Sequence, residues 1–425
     1  MSAFDQMIGY ESIKAELKRV SDVLKNPERY RKLGVNTPRG VLLYGEPGLG
    51  KTMMAKCIIE ESGREAFIIR KDLPDGEFIK TIKETFDKAK KAAPSIILFD
   101  DMDKYANEDY QHKDAEEYVA IQSGIDSVKD SEVFVIATVN DEYNLPDSML
   151  RPGRFDIRIE MTIPEIKDTE KIIEFYLSKK KYVESMDYEE IASLLEGNTC
   201  AELEHVINDA AIIAGYEGKD TIEQEDVVKA CLRVIYKAPE CLDGTRENYA
   251  RIIAIHEAGH AVVHEILEPG SVSLVSICRY EGKSEGITKV RKPDGYGYMK
   301  KHTEHMIISD LGGKAATEVL RCDTDLGSYC DIETATSSIY KLKQLERFDI
   351  DTYISNGTSE ALKTRRENML AQELERYYQM AKKIIINNRD FFDAVVEELI
   401  EKKTLRKKDI QKIKQTMLSV TDDLI

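Results

Sequence analysis

The sequence predicts an α/β nucleotide-binding domain with a parallel sheet covered by helices on both faces. A helical lid and a mainly α-helical C-terminal domain follow. Three observations carry this. Short apolar runs alternate with helical periodicity up to about residue 160, the pattern of a parallel sheet buried on both sides. A glycine-rich loop, GEPGLGKT at 45–52, sits between a predicted strand and a predicted helix. Beyond Ile163-Pro164 the apolar residues recur every three or four positions, which is helical spacing.

Taken in order, residues 11–33 read as an amphipathic helix and a second helix broken at Pro27. Residues 41–44 (VLLY) form a buried strand, and helix follows over 51–61. Further strands are expected at 66–69, 95–99 and 133–138, separated by helices near 76–92 and 112–124. A small helical domain runs to about 237, with a turn at 197–202. The stretch KAPECLDGT (237–245) mixes Pro, Gly and polar residues and reads as a linker. Beyond it, 248–268 is helical and 271–290 strand-like. From 303 onward the pattern is mainly helical, with loops at 321–330 and 349–357. The Lys- and Glu-rich tail, 361–418, keeps an apolar residue every three or four positions, so packed amphipathic helices are expected rather than a charged coil. No internal repeat is visible.

At 425 residues the chain exceeds one ordinary core, so two or three domains are expected. Its net charge of −17 argues against a general nucleic-acid binder, which needs a basic face for phosphates. The seven cysteines are odd in number and include no CxxC pair. They suggest neither a disulfide framework nor a thiolate metal cage, and fit a reducing compartment. The N-terminus lacks a secretory layout, and no run approaches 18 uncharged apolar residues, so no membrane span is expected in this chain.

GEPGLGKT fits the phosphate-loop pattern G-x-x-x-x-G-K-[ST] in the context that confirms it. Gly45, Gly48 and Gly50 let the backbone curl, and the loop as a whole, with Glu46, Pro47 and Leu49, turns its N–H groups toward phosphate. Lys51 is expected to reach the β- and γ-phosphates of ATP, and Thr52 to bind Mg2+. A later apolar strand ends in Asp100 and Asp101, the first placed to support magnesium and the second to polarise the attacking water. A third strand ends at Asn140, where a polar side chain can hold the water or the γ-phosphate. The segment LRPGRFD carries Arg151 and Arg154, far from the phosphate loop; such arginines often reach a neighbour's nucleotide, and the alternative is a surface loop salt-bridged to Asp156.

The second motif is His256-Glu257-Ala258-Gly259-His260. Residues four apart share a helix face, so both imidazoles can bind one Zn2+. Glu257 stands beside the metal as the proton carrier. The longer H-x-x-G-x-x-H extension is absent, because Val263 and Ile266 occupy its positions. His264 lies about 6 Å further along the helix axis and is expected to pack or support rather than bind. A third ligand is expected from a later carboxylate, among Asp323, Asp325, Asp331 and Glu333.

With these motifs in this order, the chain resembles the FtsH family of AAA+ zinc metalloproteases over nearly its whole length. The resemblance rests on MIGYESIKAELKRV, NPERYRKLGVNTPRGVLLYGEPGLGKT, RPGRFD, AIHEAGHAV, LGGKAATEVL and NRDFFDAVVEELIEKKTL. It implies an AAA+ large α/β domain over 1–160, its helical lid over 161–237, a linker at 238–247 and a zinc peptidase domain over 248–425. It also implies a homo-hexameric ring that passes polypeptide substrates to a zinc chamber. From CDIETAT (330–336) it selects Asp331 as the third zinc ligand. It implies arginine fingers at Arg151 and Arg154, a sensor at Asn140 and an adenine pocket at Ile8 and Gly9. EGITKV (285–290) looks like an edge strand that would pair with substrate backbone.

The sequence departs from the family where mechanical work is concerned. Asp101 replaces the usual Glu, one methylene longer. The pore loop, KDLPDGEFIK at 71–80, looks several residues short, with Phe78 only a possible substitute. Asp126-Ser127-Val128 stands where the family has Asp-Gly-Phe. The leading reading is an ATP-dependent zinc metalloendopeptidase of the cytoplasm, with or without a partner that holds it at the inner face of the plasma membrane. One alternative keeps the peptidase but makes ATP binding regulatory or assembly-promoting. Another is a non-proteolytic AAA+ remodelling scaffold.

Overall fold

The computed structural model describes residues 2–35, 37–71, 75–105, 115–151, 153–237, 247–278, 286–292, 299–320, 328–346 and 360–422. By internal contacts the chain divides into two units. The first comprises Met1–Tyr182 with Leu195–Asn208, and the second Val183–Leu194 with Asp209–Ile425.

The first unit opens with a short 3-10 turn, closed by a capping box between Ser2 and Asp5. Helices α1 (Glu11–Lys25) and α2 (Pro27–Arg31) follow, and Pro27 occupies the first turn of α2, where its missing N–H costs nothing. Then come β1 (Gly40–Tyr44), α3 (Lys51–Ser62), β2 (Glu65–Ile69), α4 (Asp75–Lys91), β3 (Ser95–Phe99), α5 (Ala115–Ser127), β4 (Val133–Val139), β5 (Ile157–Glu160) and α6 (Ile166–Ser178). The sheet order is β2-β3-β4-β1-β5, with every pair parallel.

Alternate residues of the strands feed two cores. Leu42, Ile97, Phe99 and Val135 face one helical layer, and Val41, Leu43, Ile96 and Ile136 face the other. This two-sided burial is why these strands are continuous apolar runs. The carboxyl ends of the adjacent strands β1, β4 and β3 carry the phosphate loop, Asn140 and Asp100.

Phe78 corrects an expectation. It was the one aromatic available for a shortened pore loop, yet it is fully buried, 5.1 Å from the Tyr105 ring in an edge-on contact. Phe78, Ile82, Phe86 and Ala89 all fall on the core face of α4, so helical register commits the ring to packing. Residues 72–74 of the expected pore loop lie outside the described residues, and 75–80 belong to α4.

The second unit begins with α7 (Tyr188–Leu194); α8 (Cys200–Tyr216) is divided between the units, and α9 (Gln224–Val234) belongs to the second. The helices of 161–237, expected as one lid, are thus divided by their internal contacts. After the expected linker, most of which lies outside the described residues, come α10 (Glu247–Leu267), β6 (Val272–Ser276), β7 (Ile287–Val290), α11 (Lys300–Asp310), α12 (Gly312–Val319) and α13 (Ser328–Glu346). The tail forms α14 (Glu360–Asn387), α15 (Arg389–Lys402), β8 (Thr404–Arg406) and α16 (Lys407–Asp422). Tyr377, Ala381 and Ile385 of α14 and Phe392, Val395 and Leu399 of α15 join one core with α10, so the charged tail is packed helix. The strands form a small antiparallel sheet in the order β7-β6-β8. Most of the loop expected at 321–330 and all of that at 349–357 lie outside the described residues.

Candidate functional site

Helix α10 presents His256 and His260 on one face, and α13 brings Asp331 to them. His256 Nε2 lies 3.0 Å from His260 Nε2, and Asp331 Oδ2 lies 3.2 Å and 3.4 Å from these two nitrogens. His260 Nδ1 donates to the Ser309 carbonyl at 2.7 Å. A carbonyl only accepts, so the proton sits on Nδ1 and the Nε2 lone pair faces the cluster. His256 Nε2 and an Asp331 oxygen converge on that lone pair, and a donor set of two imidazoles and one carboxylate fits Zn2+. Of the other sequence candidates, Asp323 and Asp325 lie outside the described residues, and Glu333 is exposed on α13.

Close packing leaves the cluster no slack. A Cβ on Gly313 would lie 2.5 Å from both His256 Cε1 and His260 Nε2. A Cβ on Gly259 would meet the Gly312 carbonyl at 2.4 Å, so α10 and α12 touch backbone to backbone. Glu257 is buried, and its Oε2 accepts from the Thr288 hydroxyl at 2.7 Å. Burial pushes its carboxyl pKa up, while the two histidines and Thr288 pull it back. A Cβ on Gly286 would strike the Glu257 side chain at 2.5 Å. His264 is fully buried on the same helix and is not part of the cluster.

In the first unit the phosphate loop curls between β1 and α3. Gly45, Gly48 and Gly50 have φ of 138°, 86° and 93°, backbone that side-chain-bearing residues rarely adopt. Lys51 Nζ donates to the carbonyls of Gly45 (2.6 Å) and Glu46 (2.8 Å) and to Asn140 Oδ1 (3.0 Å). Thr52 donates to Asp100 Oδ1 at 2.7 Å. Asp100 also accepts from Thr138 at 3.0 Å and from Arg70 through Nε (2.9 Å) and Nη2 (2.7 Å). Burial works against the Asp100 charge, but these donors outweigh it and hold the carboxyl below its usual range.

Asp101 makes an ion pair with Lys104 at 2.6 Å. A cavity of about 640 Å³ is lined by the loop from Pro47 to Thr52, Asp101, Asn140, Ile8 and Tyr176. Ile8, expected in an adenine pocket, lines this cavity. Gly9 instead backs against Asp168, whose Cγ a Cβ there would approach to 2.8 Å. Arg151 is exposed. Arg154 is engaged within its own chain, by Asp126 at 2.9 Å and by the Ser148 carbonyl.

Comparison with known families matches both halves. Residues 41–163 match the ATPase family associated with various cellular activities, and residues 244–413 match peptidase family M41. An ATP-dependent zinc metalloprotease FtsH 2 of Methylacidiphilum infernorum is 30% identical over 97% of this chain and 69% of its own length. The chain belongs to the FtsH family.

An FtsH 2 of Phytoplasma mali is 30% identical over 97% of this chain and 63% of the relative. One of Sphaerobacter thermophilus is 30% identical over 96% of this chain and 65% of the relative. The chain thus spans less than two thirds of the length of these two relatives. The family's cofactors, zinc and ATP with magnesium, meet fitting residues here: His256, His260 and Asp331 for zinc, and Lys51, Thr52 and Asp100 for the nucleotide and its metal. Arg70 and Thr138 at Asp100, Thr288 at Glu257, and Ser309 and Gly313 at the histidine pair were not singled out from the sequence. Among the described residues no helix is long and apolar enough to cross a membrane.

Proposed function

We propose that this chain is an ATP-dependent zinc metalloendopeptidase that assembles as a homo-hexameric ring in the cytoplasm and cuts polypeptide substrates. The convergence of His256, His260 and Asp331 beside a buried Glu257 carries the reading. Zinc held by these three residues would act as a Lewis acid and lower the pKa of water at the site. Glu257 takes the proton of the attacking water and hands it to the leaving amine. Thr288 fixes the Glu257 carboxylate, and Ser309 fixes the His260 ring. β7 pairs with β6 on one side only among the described residues. Its other edge can add an extended peptide as a further strand, and Thr288 on that strand places the peptide beside Glu257.

In the ATPase half, the phosphate loop and Lys51 hold the triphosphate, and Thr52 with Asp100 orders magnesium. Asn140, Arg151 and Arg154 are assigned as sensor and trans-acting arginines. One observation favours a second reading, in which ATP binding assembles the ring and hydrolysis is slow. Asp101 is one methylene shorter than Glu, and Lys104 engages it.

The deciding experiment is proteolysis of an unstructured and a folded substrate, with ATP and with a non-hydrolysable analogue. Lys51→Ala and Glu257→Gln serve as controls. The motor reading expects folded substrate to be cut only with ATP. Equal rates with both nucleotides on unstructured substrate, and none on folded substrate, support the regulatory reading instead.

A further inference from the structure

A second cluster of metal-binding side chains lies at the other end of α10. Glu268 directly follows the last residue of that helix. Its Oε1 lies 2.7 Å from His302 Nδ1 and 2.6 Å from His305 Nδ1. The two histidines stand three residues apart on α11 and so share a face. Their rings are edge-on, with centroids 6.3 Å apart. All three side chains are largely shielded from solvent, none more than 19% exposed.

We infer that Glu268, His302 and His305 form a second divalent transition-metal site, of the zinc class, that clips the end of α10 to α11. Three features support it. A carboxylate at a helix C-terminus faces the negative end of the helix dipole, which favours a cation beside Glu268. Two imidazoles and a carboxylate are the donors that zinc, cobalt and nickel prefer, and imidazoles do not suit calcium or magnesium. The three donor atoms already lie within 4.8 Å of one another. Around a tetrahedral ion at 2.0–2.1 Å they would stand about 3.3 Å apart, a small side-chain adjustment.

His264 adds an independent observation. It lies one turn before Glu268 on α10 and is fully buried, and neither ring nitrogen makes a hydrogen bond of normal geometry. Burial pushes its pKa down to about 4, and Glu268, His305 and the Arg291 backbone also act on the ring, so this buried imidazole borders the cluster.

This site cannot share the catalytic ion. Glu268 is eight residues beyond His260, about 12 Å along the helix. It joins the same two helices that set the catalytic imidazole, because α11 also supplies the Ser309 carbonyl held by His260. The second ion is therefore a positioning metal for α10 and α11.

Metal content separates the two sites without any activity measurement. Full-length chain, stripped with a chelator and titrated with Zn2+, is expected to take up two equivalents. His302→Ala with His305→Ala should leave one, and His256→Ala with His260→Ala should leave the other. A single equivalent in the parent chain, unchanged by the His302 and His305 substitutions, overturns the inference. Should the double alanine variant lose its helical circular dichroism, Glu268→Gln keeps the shape. It is expected to weaken the second equivalent at least about tenfold, and an unaltered second equivalent overturns the inference as well.

Discussion

Gly313 carries no side chain where a Cβ would lie 2.5 Å from both catalytic imidazoles. Gly313→Ala must push His256 or His260 out of line with Asp331. Zinc affinity is expected to fall about 10- to 100-fold, as for other disturbances of ligand orientation, with helical content unchanged; a metal-competition titration beside circular dichroism checks both. Glu257→Gln should do the reverse. Peptide hydrolysis drops by about 10²- to 10⁴-fold while zinc content stays at the parent level. Loss of zinc in that variant would mean that Glu257 helps to hold the ion. The motif residues themselves were legible because their spacing is their chemistry. Asp331 was not separable from Asp323, Asp325 and Glu333 by residue type, and only a family resemblance singled it out. Ser309 acts through its carbonyl, which every residue owns, and Arg70 is one basic residue just past a strand end. Neither leaves a signature.

Between elements, the tightest constraint is the crossing of α10 and α12. A Cβ on Gly312 would sit 2.6 Å from the Gly259 carbonyl, and backbone cannot rotate aside. Gly312→Ala should therefore cost about 1–3 kcal/mol, read as a lowered denaturation midpoint. Helix α7 offers a milder test. Asp187 caps it by accepting from the Glu190 N–H at 3.0 Å. That bond, opposed by burial and aided by Lys408, holds its carboxyl below the usual range. A depressed carboxyl stabilises above its unfolded pKa of about 3.9 and loses that contribution as pH falls through the folded value. Asp187→Ala should cost about 1 kcal/mol at neutral pH, with the difference shrinking in acid. The strongly apolar strands β1, β3 and β4 were legible because burial on both faces leaves an unbroken apolar run. β5 (IRIE) and β8 (TLR) were not, since each is short and carries charge. Phe78 was misjudged because composition shows an aromatic near a loop, whereas its place is set by the register of α4.

For the whole molecule, the proposed ring would need an arginine that reaches a neighbour's nucleotide. Arg154 is held by Asp126 and Ser148 of its own chain, whereas Arg151 is exposed. Arg151 is therefore the stronger candidate to reach a neighbour's nucleotide. Arg151→Ala should bind ATP as the parent does but lose at least about tenfold in turnover, a lower bound set against the larger effects of trans-acting arginines. Lys51→Ala should be inactive for the opposite reason, having an intact arginine but a crippled phosphate loop. Mixing the two variants tests the assembly directly. Where an Arg151→Ala subunit's nucleotide faces a Lys51→Ala neighbour, one complete site forms. Random head-to-tail mixing makes about a quarter of interfaces of that kind, so ATP turnover should return to no more than that share of the parent rate. If no turnover returns at any mixing ratio, while each variant still assembles, then Arg151 acts within its own chain and the shared-site ring is wrong.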